Sequence, residues 1–169
     1  MSLLQAVVLL VALQRLAELA FARRNARRLI AAGGIEVGAG HYPLLIAVHA
    51  GWLAALFFLV PDGAAVNWWL LGLYGLLQLA RLSVIASLGR FWTTRIVTMP
   101  GAPLVRRGPY RYLRHPNYLV VVAEIAVLPL AFGAWQIALI FSLLNGVVLA
   151  WRIRVENRAL AARRSLPIG

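Results

Sequence analysis

Five long apolar stretches constrain this chain more than any other feature. They run over residues 3–22, 42–60, 65–88, 117–130 and 133–151. A helix needs about 20 mostly apolar residues to cross a bilayer. Hydrophobic residues make up 62% of the chain and charged residues 13%, far from the balance of a soluble protein. The expected fold class is an all-α integral membrane protein with five transmembrane helices. The fourth stretch is short and carries Pro129, so it is expected to tilt, or to join the fifth as a tight hairpin through Phe132-Gly133. The first stretch lacks a basic leader and a small-residue cleavage site, so it reads as a span rather than a signal peptide.

The charge pattern orients these spans. The formal charge of +12 comes entirely from arginine, with no lysine in the chain. In a soluble protein such an excess would suggest nucleic acid. Here the arginines flank spans, where they set topology or meet anionic membrane lipids, and nucleic acid is not expected as a partner. Arg23, Arg24, Arg27 and Arg28 follow the first span. Arg90, Arg95, Arg106, Arg107, Arg111 and Arg114 follow the third, and Arg152, Arg154, Arg158, Arg163 and Arg164 follow the fifth. The connections near 61–67 and Phe132 carry no basic residue. This alternation places the arginine-rich segments and the C-terminus in the cytoplasm, with the N-terminus outside.

One polar segment stands out between the spans: Gly108-Pro109-Tyr110-Arg111-Tyr112-Leu113-Arg114-His115-Pro116-Asn117-Tyr118. Pro116 occupies a favoured first helical position, so the cluster sits at a helix N-terminus, where free N–H groups and the helix dipole suit an anionic group. A charged, polar ligand at the membrane surface is expected there. The connection over 89–117 is the only long one, and long loops of this kind are more often functional than spacers. Within it, 93–98 and 104–105 could form short extended pieces. The glycine-rich run Gly33 to Gly40 lacks the strand-before, helix-after context of a phosphate loop and reads as a flexible connection.

Other polar residues allow two readings each. Arg152 and Glu156 are four apart on one helix face. They form either a surface ion pair or a cleft pair in which Arg152 holds an anionic substrate group and Glu156 orients or deprotonates it. Glu124 lies inside the fourth span, where a carboxylate is costly and marks a functional or paired group. Arg81 in the third span is its candidate partner, and the two are candidate substrate-pocket residues. Arg15 and Glu18, with Gln14 alongside, suggest a buried pairing, and His49 a packing histidine. The six tryptophans mostly fall near span ends and read as interfacial anchors. No metal is expected, since His41, His49 and His115 sit in different segments. The absence of cysteine removes thiolate chemistry, and no Gly-x-Ser-x-Gly turn occurs.

Gly108-Pro109-Tyr110-Arg111, then Arg114-His115-Pro116-Asn117-Tyr118, a two-span hairpin, and Arg152-Ile153-x-x-Glu156-x-x-x-Leu160 together resemble the isoprenylcysteine carboxyl methyltransferase family. The resemblance covers roughly residues 89–160, and Leu88-Gly89-Arg90-Phe91-Trp92-Thr93 is similar to the family's lead-in to that loop. It implies an integral membrane enzyme that uses S-adenosylmethionine to methylate a lipophilic substrate, of a compact bacterial branch and hence of a bacterial inner membrane. It implies a division into three N-terminal spans (1–88, with an arginine-rich cytoplasmic loop at 23–40) and a methyltransferase-like region (89–164). Cofactor contacts would come from Tyr110, Arg114, His115, Pro116 and Tyr118, with Arg152 and Glu156 near the methyl group and the acceptor. The chain departs from the family pattern at Ala102, where many members have a histidine, at Val120, where a glycine is common, and at Asn157, where a second glutamate is usual. The expected reaction is O-methylation of a carboxylate, or of an enol or phenol, on a lipophilic small molecule or a prenylated substrate. Phospholipid or amine N-methylation is the neighbouring alternative. A non-catalytic lipid-binding protein or small transporter, built on Glu124 with Arg81 and on Arg15 with Glu18, is the alternative from another class.

Overall fold

A computed structural model describes residues 1–161; Arg163 and Arg164 lie outside the described residues. Five helices account for the expected spans. Four are long and apolar enough to cross a bilayer, and the fifth is a shorter apolar helix. Helix α1 (Leu3–Ala31) opens with a capping box in which Ser2 Oγ accepts from the Gln5 N–H and the Gln5 side chain accepts from the Ser2 N–H. At 29 residues and about 1.5 Å per residue, α1 is longer than the hydrocarbon core. Arg23, Arg24, Arg27 and Arg28 therefore ride on the helix, and the loop expected from residue 23 begins only after Ala31. Arginine is a good helix former, and nothing breaks the helix before Gly33 turns the chain at φ +91°.

The glycine-rich run that follows is not a flexible connection. Residues Ile35–Val37 form strand β1, followed by a 3-10 turn over Ala39–His41. Strand β1 pairs antiparallel with β2 (Ile96–Thr98) from the long loop, in the register Ile35↔Thr98, Glu36↔Val97, Val37↔Ile96. The glycines serve this ladder. Gly38 turns the chain at φ +68°, and a Cβ on Gly34 would stand 2.7 Å from the Leu29 carbonyl oxygen and 2.9 Å from Met99 Sδ. Of the two expected extended pieces, 96–98 lies in the ladder and 104–105 lies outside it.

Helices α2 (Tyr42–Leu59) and α3 (Trp68–Leu88) follow, with Asn67 capping α3 through the Leu70 N–H. Helix α4 (Pro116–Ala131) is only 16 residues long and turns through Gly133 at φ +69° into α5 (Trp135–Ala159), giving the expected hairpin. The main core gathers Leu4, Val8 and Val11 of α1, Trp52 and Leu56 of α2, Tyr74 of α3, and Val121, Ile125 and Leu128 of α4. Large side chains such as Phe58, Leu59, Leu76 and Val147 are exposed, a girdle suited to lipid.

A charge network crosses the interior of the bundle. Glu124 Oε2 lies 2.9 Å from Arg15 Nη2 and 3.1 Å from Arg81 Nη1, while Glu18 Oε2 lies 3.0 Å from Arg15 Nη1 and 2.6 Å from Arg81 Nη2. Gln14 donates to Glu18, and Gln78 donates to Glu124. Two arginines and two glutamates cancel, so the network adds no net charge to the apolar layer. It ties α1, α3 and α4 into one register. His49 bonds the Leu45 carbonyl through Nδ1 at 2.8 Å, a packing role within α2.

Candidate active site

The site is assembled where α4 begins. Upstream, a 3-10 turn over Gly108–Arg111 is clamped to the end of α3. The Arg107 Nε–H donates to the Ser87 carbonyl at 2.6 Å. Gly108 sits at φ +55°, where a Cβ would collide with the Ser87 hydroxyl, so only glycine fits this approach. The clamp lays Tyr110 against a small cluster of Ala22, Val84 and Trp92. Burial pushes the Tyr110 phenol above its ordinary pKa and the charge of Glu156 acts in the same direction, which keeps this phenol neutral.

His115 stands at the N-cap position and Pro116 at the first helical position of α4. The antiparallel α4–α5 hairpin then sets Tyr118 opposite the last turns of α5. The Tyr118 hydroxyl donates to Glu156 Oε2 and accepts from Arg152 Nε at 2.8 Å. The Arg152 guanidinium carbon lies 5.8 Å from the Tyr118 ring centre. The His115 ring stacks on Tyr118 with centroids 5.2 Å apart and 18° between planes. Its Nε2 meets Asn157 Oδ1 at 3.3 Å, and its Nδ1 lies 3.9 Å from Glu156 Oε1. Arg152 and Glu156 thus meet at the Tyr118 hydroxyl, inside a cleft rather than on an open helix face. Asn157, where the family pattern has a second glutamate, holds the far edge of the histidine.

These groups line a cavity of about 550 Å³, within the usual size range for small-molecule sites. Tyr110, Arg114, His115, Tyr118, Arg152 and Glu156 are all on its wall, whereas Pro116 is buried behind it. Arg81 and Glu124 do not line it; they lie in the charge network between helices. Among the lining residues are five arginines, Arg95, Arg106, Arg111, Arg114 and Arg152, and a single carboxylate, Glu156. A second, apolar groove of about 290 Å³ lies between α4 and α5, walled by Leu119, Val122, Leu149 and Ile153. It shares Leu113, Arg114, His115 and Tyr118 with the cavity.

Several site residues gave no clear signal in the sequence. Asn25, buried in α1, donates to the carbonyls of Gly89 at 3.1 Å and Trp92 at 2.9 Å, fixing one cavity wall to the first helix. Trp92 is only 3% exposed and packs beside Tyr110, and Trp52 is 1% exposed in the main core, so neither is the interfacial anchor expected of the tryptophans. Trp68, Trp69 and Trp135 are exposed at helix starts, whereas Trp151 is exposed well inside α5. Asn117 Oδ1 and Trp92 Nε1 are buried, without hydrogen-bond partners, in residues that line the cavity.

The model of the family described as "Isoprenylcysteine carboxyl methyltransferase (ICMT) family" matches residues 70–162, more than half of the chain. The chain is 38% identical over 159 residues to the uncharacterized protein YpbQ of Bacillus subtilis, covering 91% of this chain and 94% of that protein. It is 31% identical over 152 residues to an uncharacterized protein of Haemophilus influenzae, covering 87% of this chain and 88% of that protein. No solved structure matches the chain.

Proposed function

Because the chain belongs to the isoprenylcysteine carboxyl methyltransferase family, we propose that it is a membrane methyltransferase that uses S-adenosylmethionine to methylate an oxygen of a lipophilic acceptor. The observation that carries this reading is the meeting of two spaces of opposite character at His115 and Tyr118. One is a polar, arginine-rich cavity. The other is an apolar groove between two membrane helices. A water-soluble methyl donor suits the first, and a lipid-soluble acceptor arriving sideways from the bilayer suits the second.

Bound S-adenosylmethionine would supply a methyl group on a sulfonium, open to in-line displacement. His115, Tyr118, Tyr110 and Arg114 would hold it, with the backbone ahead of Pro116 receiving its polar end. Arg152 places the attacking oxygen, and Glu156 orients it or takes its proton when the acceptor is a hydroxyl. A carboxylate acceptor needs no base, only alignment and exclusion of water. Five arginines against one carboxylate suit an anionic oxygen acceptor and oppose a cationic amine, which favours O- over N-methylation. We assign Arg81 and Glu124 to fixing α4 beneath the acceptor rather than to touching it. Residues 89–164 would carry the chemistry on a scaffold of the first three spans, with the cavity facing the cytoplasm of a bacterial inner membrane and the N-terminus outside.

The test is calorimetric titration of the lipid-supplemented protein with S-adenosylmethionine, coupled to transfer of a labelled methyl group onto long-chain acids, phenols and enols. Wild type is expected to bind, His115→Ala to lose binding, and Glu156→Ala to keep binding while losing transfer. A folded wild-type protein that does not bind S-adenosylmethionine overturns the reading.

A further inference from the structure

We propose that Arg95 is a pre-held anion anchor at the mouth of the cavity, built by the first cytoplasmic segment, and that it takes the carboxylate-type group of a bound ligand. The inference rests on the methyltransferase reading above. Arg95 lines the cavity beside β2, and its side chain is 46% exposed, so a ligand can reach it. Two separate pieces of chain converge on its guanidinium. From β1, Glu36 accepts two contacts from Arg95 Nη1, at 3.2 and 3.0 Å. From the start of α2, the Tyr42 ring centre lies 5.3 Å from the guanidinium carbon, and the Tyr42 hydroxyl meets Thr94 Oγ1 at 3.1 Å. Strand β1 also pairs Val37 with Ile96, which fixes the backbone next to Arg95.

This investment is not explained by stability, because a half-exposed ion pair contributes little to a fold. It does explain positioning. The Glu36 contacts occupy only Nη1 of a group with five N–H donors, leaving most of the fork for another acceptor. Arg106, Arg111 and Arg114, on the same cavity wall, are exposed and take part in no described ion pair. An arginine already stacked and paired loses less side-chain freedom on binding than these do. Among the exposed cavity arginines, with Arg152 already engaged at Tyr118, Arg95 is therefore the one best placed to fix an anion, and Glu36 and Tyr42 are its positioning residues. The anion belongs either to the amino-acid end of the methyl donor or to an acidic acceptor; both present the same planar two-oxygen group.

The experiment separates the two sources. Arg95→Gln, Arg95→Lys and Glu36→Gln are compared with wild type in titrations with S-adenosylmethionine, with its decarboxylated analogue, and with palmitate as a lipophilic acid. A loss of about tenfold in Arg95→Gln, the scale of one charge-assisted contact, is expected for one carboxylate ligand, with partial recovery in Arg95→Lys and a smaller loss in Glu36→Gln. If S-adenosylmethionine weakens and its decarboxylated analogue does not, the anion is the donor's. If palmitate alone weakens, the anion is the acceptor's, and the apparent KM for an acidic acceptor rises without a fall in kcat. Unchanged affinity for all three ligands in Arg95→Gln overturns the inference, as does an equal loss for both forms of the donor, which would mean a collapsed wall. A folded wild-type protein that does not bind S-adenosylmethionine overturns the methyltransferase reading and this inference with it.

Discussion

The Tyr118 hydroxyl is the atom on which the site's polar residues converge, since it donates to Glu156 and accepts from Arg152 while its ring stacks on His115. Tyr118→Phe keeps the ring, and with it the stack, but removes both hydrogen bonds. Bonds to charged groups are each worth about 1.5–3 kcal/mol. The variant is therefore expected to lose about 10–100-fold in kcat/KM for methyl transfer, measured with labelled methyl donor at subsaturating acceptor. A rate within twofold of wild type would remove this junction from the reaction. At this scale the sequence was informative about identity and silent about partners. His115, Tyr118, Arg152 and Glu156 were legible because polar side chains beside apolar spans are costly and need a reason. That Arg152 and Glu156 meet through a tyrosine, rather than as a bare i,i+4 pair, depends on which turn of α5 faces α4, which no spacing within either helix encodes. Asn25 and Trp92 were opaque for a related reason. An asparagine among arginines looks solvated, and a tryptophan near a span end looks interfacial, until the carbonyls of Gly89 and Trp92 come to lie against α1.

Elements sort by length in the same way. Spans of about 20 apolar residues announce themselves, and α1 to α3 and α5 were legible as existing; their ends were less so, because α1 runs on through its arginines to Ala31. The ladder of β1 and β2 was illegible on its β1 side. Three residues are too few for an alternating pattern to register, and glycines on either side suggest a loop when they are in fact its turns. Between helices, the decisive contact is the network of Arg15, Glu18, Arg81 and Glu124, which holds α4 against α1 and α3. Glu124→Ala leaves two arginines facing one glutamate, an uncompensated positive charge among apolar helices. Breaking a buried pair in this manner costs about 3–5 kcal/mol, so the melting temperature in lipid-supplemented detergent is expected to fall by on the order of 10 °C. Glu124→Gln should cost less, since an acceptor remains. Combining it with Arg15→Gln restores neutrality, and the pair should cost less than the sum of the two single changes. A Glu124→Ala protein that melts with wild type would mean that the network does not secure α4.

For the whole molecule the question is which way the bundle stands, because a cavity that opens on the wrong side of the membrane would never meet a cytoplasmic methyl donor. The distribution of the arginines is what the proposed orientation rests on. Those of α1's last turns, of the long loop that walls the cavity and of α5's end all lie at one end of an odd number of alternating helices, while the connection around Asp62 carries no basic residue. Moving a cation across the bilayer during insertion is disfavoured, so the orientation proposed above keeps the arginine-rich end in the cytoplasm. The chain contains no cysteine, which allows single cysteines to report orientation without background. Asp62 and Arg28 are both exposed and sit at opposite ends of the bundle. Asp62→Cys is expected to react with a membrane-impermeant maleimide in right-side-out vesicles and to be protected in inverted ones, and Arg28→Cys to show the reverse. Labelling of Arg28→Cys from the outside would place the cavity, whose walls stand at that same end, away from the compartment that holds S-adenosylmethionine. The donor-from-cytoplasm, acceptor-from-bilayer arrangement would then fail, whatever the geometry of His115 and Tyr118.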